Sequence, residues 1–191
     1  MNAFAILGLE ARPLIDPEVL KEAHLRAVAR DHPDANPTGS SERVREVNQA
    51  REILSRDRSR LLHLIDCTGE GSASTQAALP GTLGDLFGPV AETLGRVRAQ
   101  LRSHAGAESA LEKAGLMPAG LALFDDLQAL RQKILSLRGE WEQRLREVDA
   151  AWVEGRPDNR ALAEIALVLG FLDRWTEQID EQAFRLSETL A

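Results

Sequence analysis

Residues 16–54 read DPEVLKEAHLRAVARDHPDANPTGSSERVREVNQAREIL, and the fold is decided in this stretch. Asp16-Pro17-Glu18 is a helix start: the aspartate caps free amides, and proline suits the first helical position, where an N–H would have no partner. Leu20, Ala23, His24, Ala27 and Val28 then recur at the spacing of one face of a helix. Pro33 ends that helix, because the residue before a proline is pushed out of the α region. Asn36-Pro37-Thr38-Gly39 is loop, Ser40 is the cap of the next helix, and Val44, Val47, Ala50 and Leu54 line its face. Two amphipathic helices of matching length around a short Pro/Gly loop form a helical hairpin.

The rest of the chain agrees with an all-α fold. Of its 191 residues 43% are hydrophobic and 28% charged, the composition of a packed domain rather than a disordered chain. Aromatics make up only 4%, with no Tyr, which argues against sheets; Leu, Ala, Glu and Arg favour helices. The net charge of −7 offers no general attraction to nucleic acid. No apolar run approaches the ~20 residues that span a bilayer, and Met1-Asn2-Ala3-Phe4 lacks the basic and apolar segments of a secretory signal. The single cysteine, Cys67, cannot form an internal disulfide, so a reducing cytoplasm is the expected setting.

Residues 67–82 are rich in small residues without apolar periodicity and read as a linker between a part spanning 1–66 and a part spanning 83–191. The first part carries 10 Lys/Arg against 11 Asp/Glu and the remainder 13 against 19, so the acidity sits mostly in the second. That second part holds three stripes with 3/4 spacing. The first runs through Leu83, Phe87, Val90, Leu94, Val97 and Leu101. The next runs from Phe124 through Leu127, Leu130, Ile134, Leu137, Trp141, Leu145 and Val148 to Trp152. The last takes Leu162, Ile165, Leu169, Leu172, Ile179, Leu186 and Leu190. Three such stripes imply an antiparallel three-helix bundle, with a short extra helix expected around 107–114.

His32-Pro33-Asp34 is the sharpest functional feature. Pro33 stiffens the backbone and presents the Asp34 carboxylate on a rigid corner, suited to an arginine of another protein. With Ala5-Ile6-Leu7-Gly8 before it, the helix over 20–30, and Asn48-Gln49-Ala50-Arg51-Glu52-Ile53-Leu54 after it, residues 2–65 resemble the J-domain of DnaJ-type co-chaperones. The resemblance implies that His32, Pro33 and Asp34, aided by Lys21, Arg26 and Arg30, dock on a DnaK-type chaperone and switch on its ATP hydrolysis. No cofactor or catalytic residue is then expected in this chain. The departures are local. Glu22 and Asp31 dilute the basic helix, and His24 and Arg51 stand where the family has core tyrosines. Those two either snorkel from a smaller core or pair with each other across the hairpin.

A J-domain followed by a helical bundle, without Gly/Phe-rich or Cys-x-x-Cys segments, resembles the HscB-type co-chaperone of iron–sulfur cluster assembly. Ser59-Arg60-Leu61-Leu62-His63-Leu64-Ile65 is similar to that family's exit from the J-domain, with His63 in place of a tyrosine. Gly170-Phe171-Leu172-Asp173-Arg174-Trp175 is similar to its segment near the chain end. The resemblance implies that Leu123, Phe124, Leu127 and Phe171 hold an iron–sulfur scaffold protein, although Gln128 and Arg131 stand where the family has acidic companions. For Leu127 plain core packing is the competing reading. Phe171, with Val168 and Trp175, forms a second stripe that is either buried or presented to a client.

The remaining reactive groups form no recognisable site. His24, His32, His63 and His104 lack metal-ligand spacing, and there is no Gly-rich phosphate loop. Three readings stay open: a co-chaperone of the iron–sulfur type, a J-domain adaptor with another client or a self-associating, homodimeric bundle, and a structural coiled-coil protein with a degenerate J-like domain.

Overall fold

The computed structural model describes residues 1–31, 40–68, 79–152 and 158–190. All regular structure among them is helical: α1 (Ala3–Leu7), α2 (Pro17–Asp31), α3 (Ser41–Ser55), α4 (Asp57–Cys67), α5 (Gly81–Gly106), α6 (Ala110–Ala150) and α7 (Asn159–Leu190). The caps predicted at Asp16 and Ser40 form, and Asp158 adds a third at the start of α7. Asp16 Oδ1 accepts from Glu18 N at 2.8 Å, Ser40 Oγ from Arg43 N at 3.1 Å, and Asp158 Oδ1 from Ala161 N at 2.9 Å. Gly8 ends α1 at φ 65°, and its N–H reaches the carbonyls of Ala5 and Phe4. Glycine is needed there because a Cβ is strained in the left-handed region.

The short helix expected at 107–114 does not stand alone. Ser109 Oγ accepts from Glu112 N at 3.2 Å, while Glu112 Oε2 accepts from Glu108 N at 2.8 Å and Ser109 N at 3.3 Å. This capping box opens α6 itself, which continues through Pro118. The segment 67–82 also shrinks as a linker: Cys67 closes α4, Gly81 opens α5, and 69–78 lie outside the described residues.

The chain forms two compact units, Met1–Ala78 with Trp141–Leu169, and Leu79–Glu140 with Gly170–Ala191. Neither is contiguous in sequence. In the first unit, α1 to α4 pack Phe4, Leu54, Leu61, Leu64 and Ile65 into a core completed by Leu145 of α6 and by Leu162, Ile165 and Leu169 of α7. The second stripe of the sequence therefore changes partners at Trp141. A periodic apolar face marks a buried surface without specifying what buries it.

Polar groups lock the first unit together. Asp149 receives Arg12 Nε at 3.2 Å, Arg12 Nη2 at 2.5 Å and Leu14 N at 2.9 Å. Arg60 is 4% exposed and donates to Pro13 O at 2.8 Å, Leu54 O at 3.0 Å and Asp57 Oδ1. His63 stacks on Phe4 with 5.8 Å between centroids, and its Nε2 accepts from Ala3 N at 2.9 Å. That bond needs a neutral ring protonated on Nδ1.

Burial pushes the His63 pKa below its ordinary 6.5; Asp66 opposes the shift and the Met1 ammonium adds to it. The stability from this contact is present above the unfolded value and lost as pH falls through the lower folded value. Acidification through this range should release α1 first, seen as a falling protection factor at the Ala3 amide, its exchange rate taken relative to the intrinsic rate at each pH. His63→Leu should flatten that pH dependence, and an unchanged profile would refute the assignment.

In the second unit Leu83, Val90, Leu94 and Val97 of α5, Leu123, Leu127, Leu130, Ile134 and Leu137 of α6, and Leu172, Trp175, Ile179 and Leu186 of α7 are all buried. Ion pairs set the register of α6 against α7: Arg131–Asp180 at 2.7 Å, and Arg138–Asp173. These pairings make the two helices antiparallel.

Candidate functional site

His32, Pro33 and Asp34 lie outside the described residues, but both stems of their loop are described. Ser40 N donates to Asp31 O at 3.1 Å, which joins the end of α2 to the residue that caps α3. Asp31 is 7% exposed, and its carboxylate receives Arg30 Nε at 3.0 Å and Arg30 Nη2 at 2.8 Å. The Arg30 hydrogen bond holds the Asp31 pKa below its usual value against the opposing effect of desolvation, with smaller help from the charges of Arg30 and Arg43. A bidentate pair at the helix end gives the loop a fixed base.

The cations expected to aid docking all have acidic neighbours on α2. Lys21 pairs with Glu18 at 3.0 Å, Arg26 with Glu22 at 3.6 Å, and Arg30 with Asp31 at 2.8 Å. The first two pairs, exposed on both sides, are individually weak, and α2 carries as many acids as bases. The helix therefore presents an orientable pattern of charge rather than a net positive field.

Arg43 was not among the expected site residues. It lines a shallow cavity of about 240 Å³ at the loop base together with Arg30, Asp31 and Glu46. The sequence held a signal for it: a cation in the first turn of α3 opposes the helix dipole, an unfavourable placement that calls for another reason.

The residues expected to bind a client do not form one surface. Leu127 is fully buried and Leu123 is 6% exposed, so both support the bundle from within; Phe124 and Phe171 are half-buried. The α6/α7 register puts Phe171 opposite α6 near residue 140, about 24 Å along the axis from Phe124 at 1.5 Å per residue. The neighbour of Phe171 is instead Phe87 of α5, at 5.2 Å edge to face. Trp175 completes the group, 4.9 Å from Phe87 and 5.8 Å from Phe171.

Of the stripe Val168, Phe171 and Trp175, Val168 and Trp175 are buried while Phe171 keeps one edge exposed. Phe87 is 37% exposed and stands above Gly84 and Gly88, where added Cβ atoms would meet open space. Its place in the 3/4 stripe made it indistinguishable from core by spacing. Arg131, at a position where an acid was looked for, is committed to Asp180.

Of the two readings for His24 and Arg51, the mutual pair does not form: His24 Nε2 lies 2.8 Å from Asn48 Oδ1, and Arg51 is exposed. Position 48 is one turn nearer the loop than 51 and reaches the imidazole more directly. The thiol of Cys67 sits 3.6 Å from His63 Nε2, with its pKa raised by desolvation and by Asp66, the reverse of an activated cysteine.

No protein-family model matches the chain, and no curated protein matches it significantly. Among solved structures, the chaperone HscB from Vibrio cholerae matches 95% of this chain and 96% of its own length, with a TM-score of 0.60 at 19% sequence identity. The likeness is one of fold, and it extends over both units.

Proposed function

We propose that this chain is a J-domain co-chaperone that recruits a DnaK-type chaperone through His32, Pro33 and Asp34, stimulates its ATP hydrolysis, and delivers a client protein held by the second unit. The observation that carries the proposal is the helical hairpin of α2 and α3, whose facing ends, on either side of residues 32–39, are joined by the Asp31–Ser40 hydrogen bond and braced by the Arg30–Asp31 pair. The fold likeness to chaperone HscB supports the same reading. Single-turnover ATPase measurements on a cognate chaperone test it directly.

The client surface is the exposed edge of Phe87 and Phe171, and the client is an iron–sulfur scaffold protein. Phe87→Ala should weaken client binding by roughly 30-fold, the scale of an aromatic anchor, and should also lower the thermal midpoint by a few degrees through the lost ring contacts with Phe171 and Trp175. Leu127→Ala should act differently: it should cost about 2–5 kcal/mol of stability as a core cavity, without specific loss of affinity. Titration of labelled client into each folded variant checks both, and equal affinities would remove Phe87 from the surface.

The adaptor reading, with another client or a second copy bound, draws support from Arg131. Its ion pair with Asp180 replaces the acidic companion expected beside the client surface. Recovery of bound proteins from the source cells separates the two readings, since capture of an iron–sulfur scaffold protein favours the first.

A further inference from the structure

The first unit contains a second concavity, at the end of the α2/α3 hairpin away from residues 32–39. It is a half-open groove of about 500 Å³ between the start of α2, the end of α3, the start of α4 and α6. That volume lies within the range of small-molecule sites. Leu20, Leu54 and Leu145 beneath it are almost wholly buried core side chains, so its floor is fixed by packing, while the half-buried Leu14 and Ile15 give it accessible apolar surface.

Charge at its edge is unbalanced. Glu18 is paired with Lys21 and Asp57 with Arg60, while Glu142 is engaged elsewhere. Arg51 on α3 and Arg146 on α6 line the same groove, and neither has a carboxylate partner among the described residues. The Nε of Arg146 donates to Gln143 Oε1 at 3.0 Å, which leaves its terminal N–H groups available.

We propose that this groove binds a small organic carboxylate, its apolar body against the half-buried Leu14 and Ile15 above the leucine floor and its anionic head between Arg51 and Arg146. Apolar burial supplies affinity, and a guanidinium matches a carboxylate with paired N–H donors. Because the groove lies away from the chaperone loop, occupancy does not require that loop to move, and the proposal stands independently of the co-chaperone reading.

The test is a backbone-amide NMR titration of the full chain with hydrocinnamate, with the corresponding neutral alcohol and with the corresponding cationic amine. Hydrocinnamate should shift Leu20, Leu54 and Leu145 saturably, with a dissociation constant on the order of 1 mM for a ligand of this size. The alcohol and the amine should bind at least about tenfold more weakly, as should hydrocinnamate to the Arg51→Ala/Arg146→Ala double variant. Equal binding of acid and alcohol, retention of affinity in the folded double variant, or no saturable shift at the three leucines would each overturn the proposal. Should the double variant fail to fold, the comparison of acid with alcohol on the unaltered chain still decides.

Discussion

A fragment ending at Ala78 is expected to lose cooperative folding even though it contains every residue of the J-domain resemblance. The core around Phe4, Leu54, Leu61 and Leu64 is completed by Leu145, Leu162, Ile165 and Leu169, which the fragment lacks. At about 1.5–3 kcal/mol for each large apolar side chain buried, those four represent roughly 6–12 kcal/mol of burial. A whole domain is stable by only about 5–15 kcal/mol. Arg12 and the Leu14 amide also lose Asp149, their common acceptor. Thermal unfolding followed by circular dichroism should show a broad, non-cooperative transition for the fragment and a sharp one for the full chain. A fragment with a sharp transition and dispersed amide resonances would contradict this division of the core.

Arg60 is expected to be the most sensitive polar position in the first unit. Its guanidinium is buried and its donors go to Pro13 O, Leu54 O and Asp57, tying the loop before α2 and the end of α3 to α4. Arg60→Ala removes the donors and leaves two carbonyls and a carboxylate without them. Breaking a buried pair from one side typically costs about 3–5 kcal/mol. Arg60→Lys should recover only part of that, because one ammonium cannot reproduce the planar fork. Chemical denaturation with both variants provides the measurement; a loss below about 1 kcal/mol for Arg60→Ala would show that water replaces these bonds.

Much of the fold was legible because local rules and tertiary structure agree. Asp16 with Pro17, Ser40 and Asp158 announce helix starts through side chains that cap free amides, and the stripe spacings mark the faces that are buried. Partners were not legible. The run from Phe124 to Trp152 keeps one period while its packing passes from one unit to the other at Trp141, and nothing local marks that change. Around residue 110 the sequence suggested a short separate helix, but the Ser109/Glu112 capping box starts a helix that continues through Pro118.

The same limit governed the candidate surfaces. Leu123, Phe124, Leu127 and Phe171 share an apolar character, but only the α6/α7 register tells that they lie far apart and that Phe87 is the residue beside Phe171. Around residues 32–39 the sequence pointed to the tripeptide with Lys21, Arg26 and Arg30, while the pairing of Arg30 with Asp31 and the place of Arg43 emerge from structure. Adjacent residues of opposite charge are common, and only geometry distinguishes a bidentate brace from two solvated side chains.

The central claim is that the loop carrying Asp34 engages a DnaK-type chaperone. It is tested most directly by single-turnover ATP hydrolysis on a cognate chaperone, with the unaltered chain and with Asp34→Asn. The unaltered chain should accelerate hydrolysis. Asp34→Asn, which removes a charge-assisted hydrogen bond, should lose about tenfold or more of that acceleration while keeping the same helical content and thermal midpoint. Equal stimulation by both proteins, or none by either, would contradict the account.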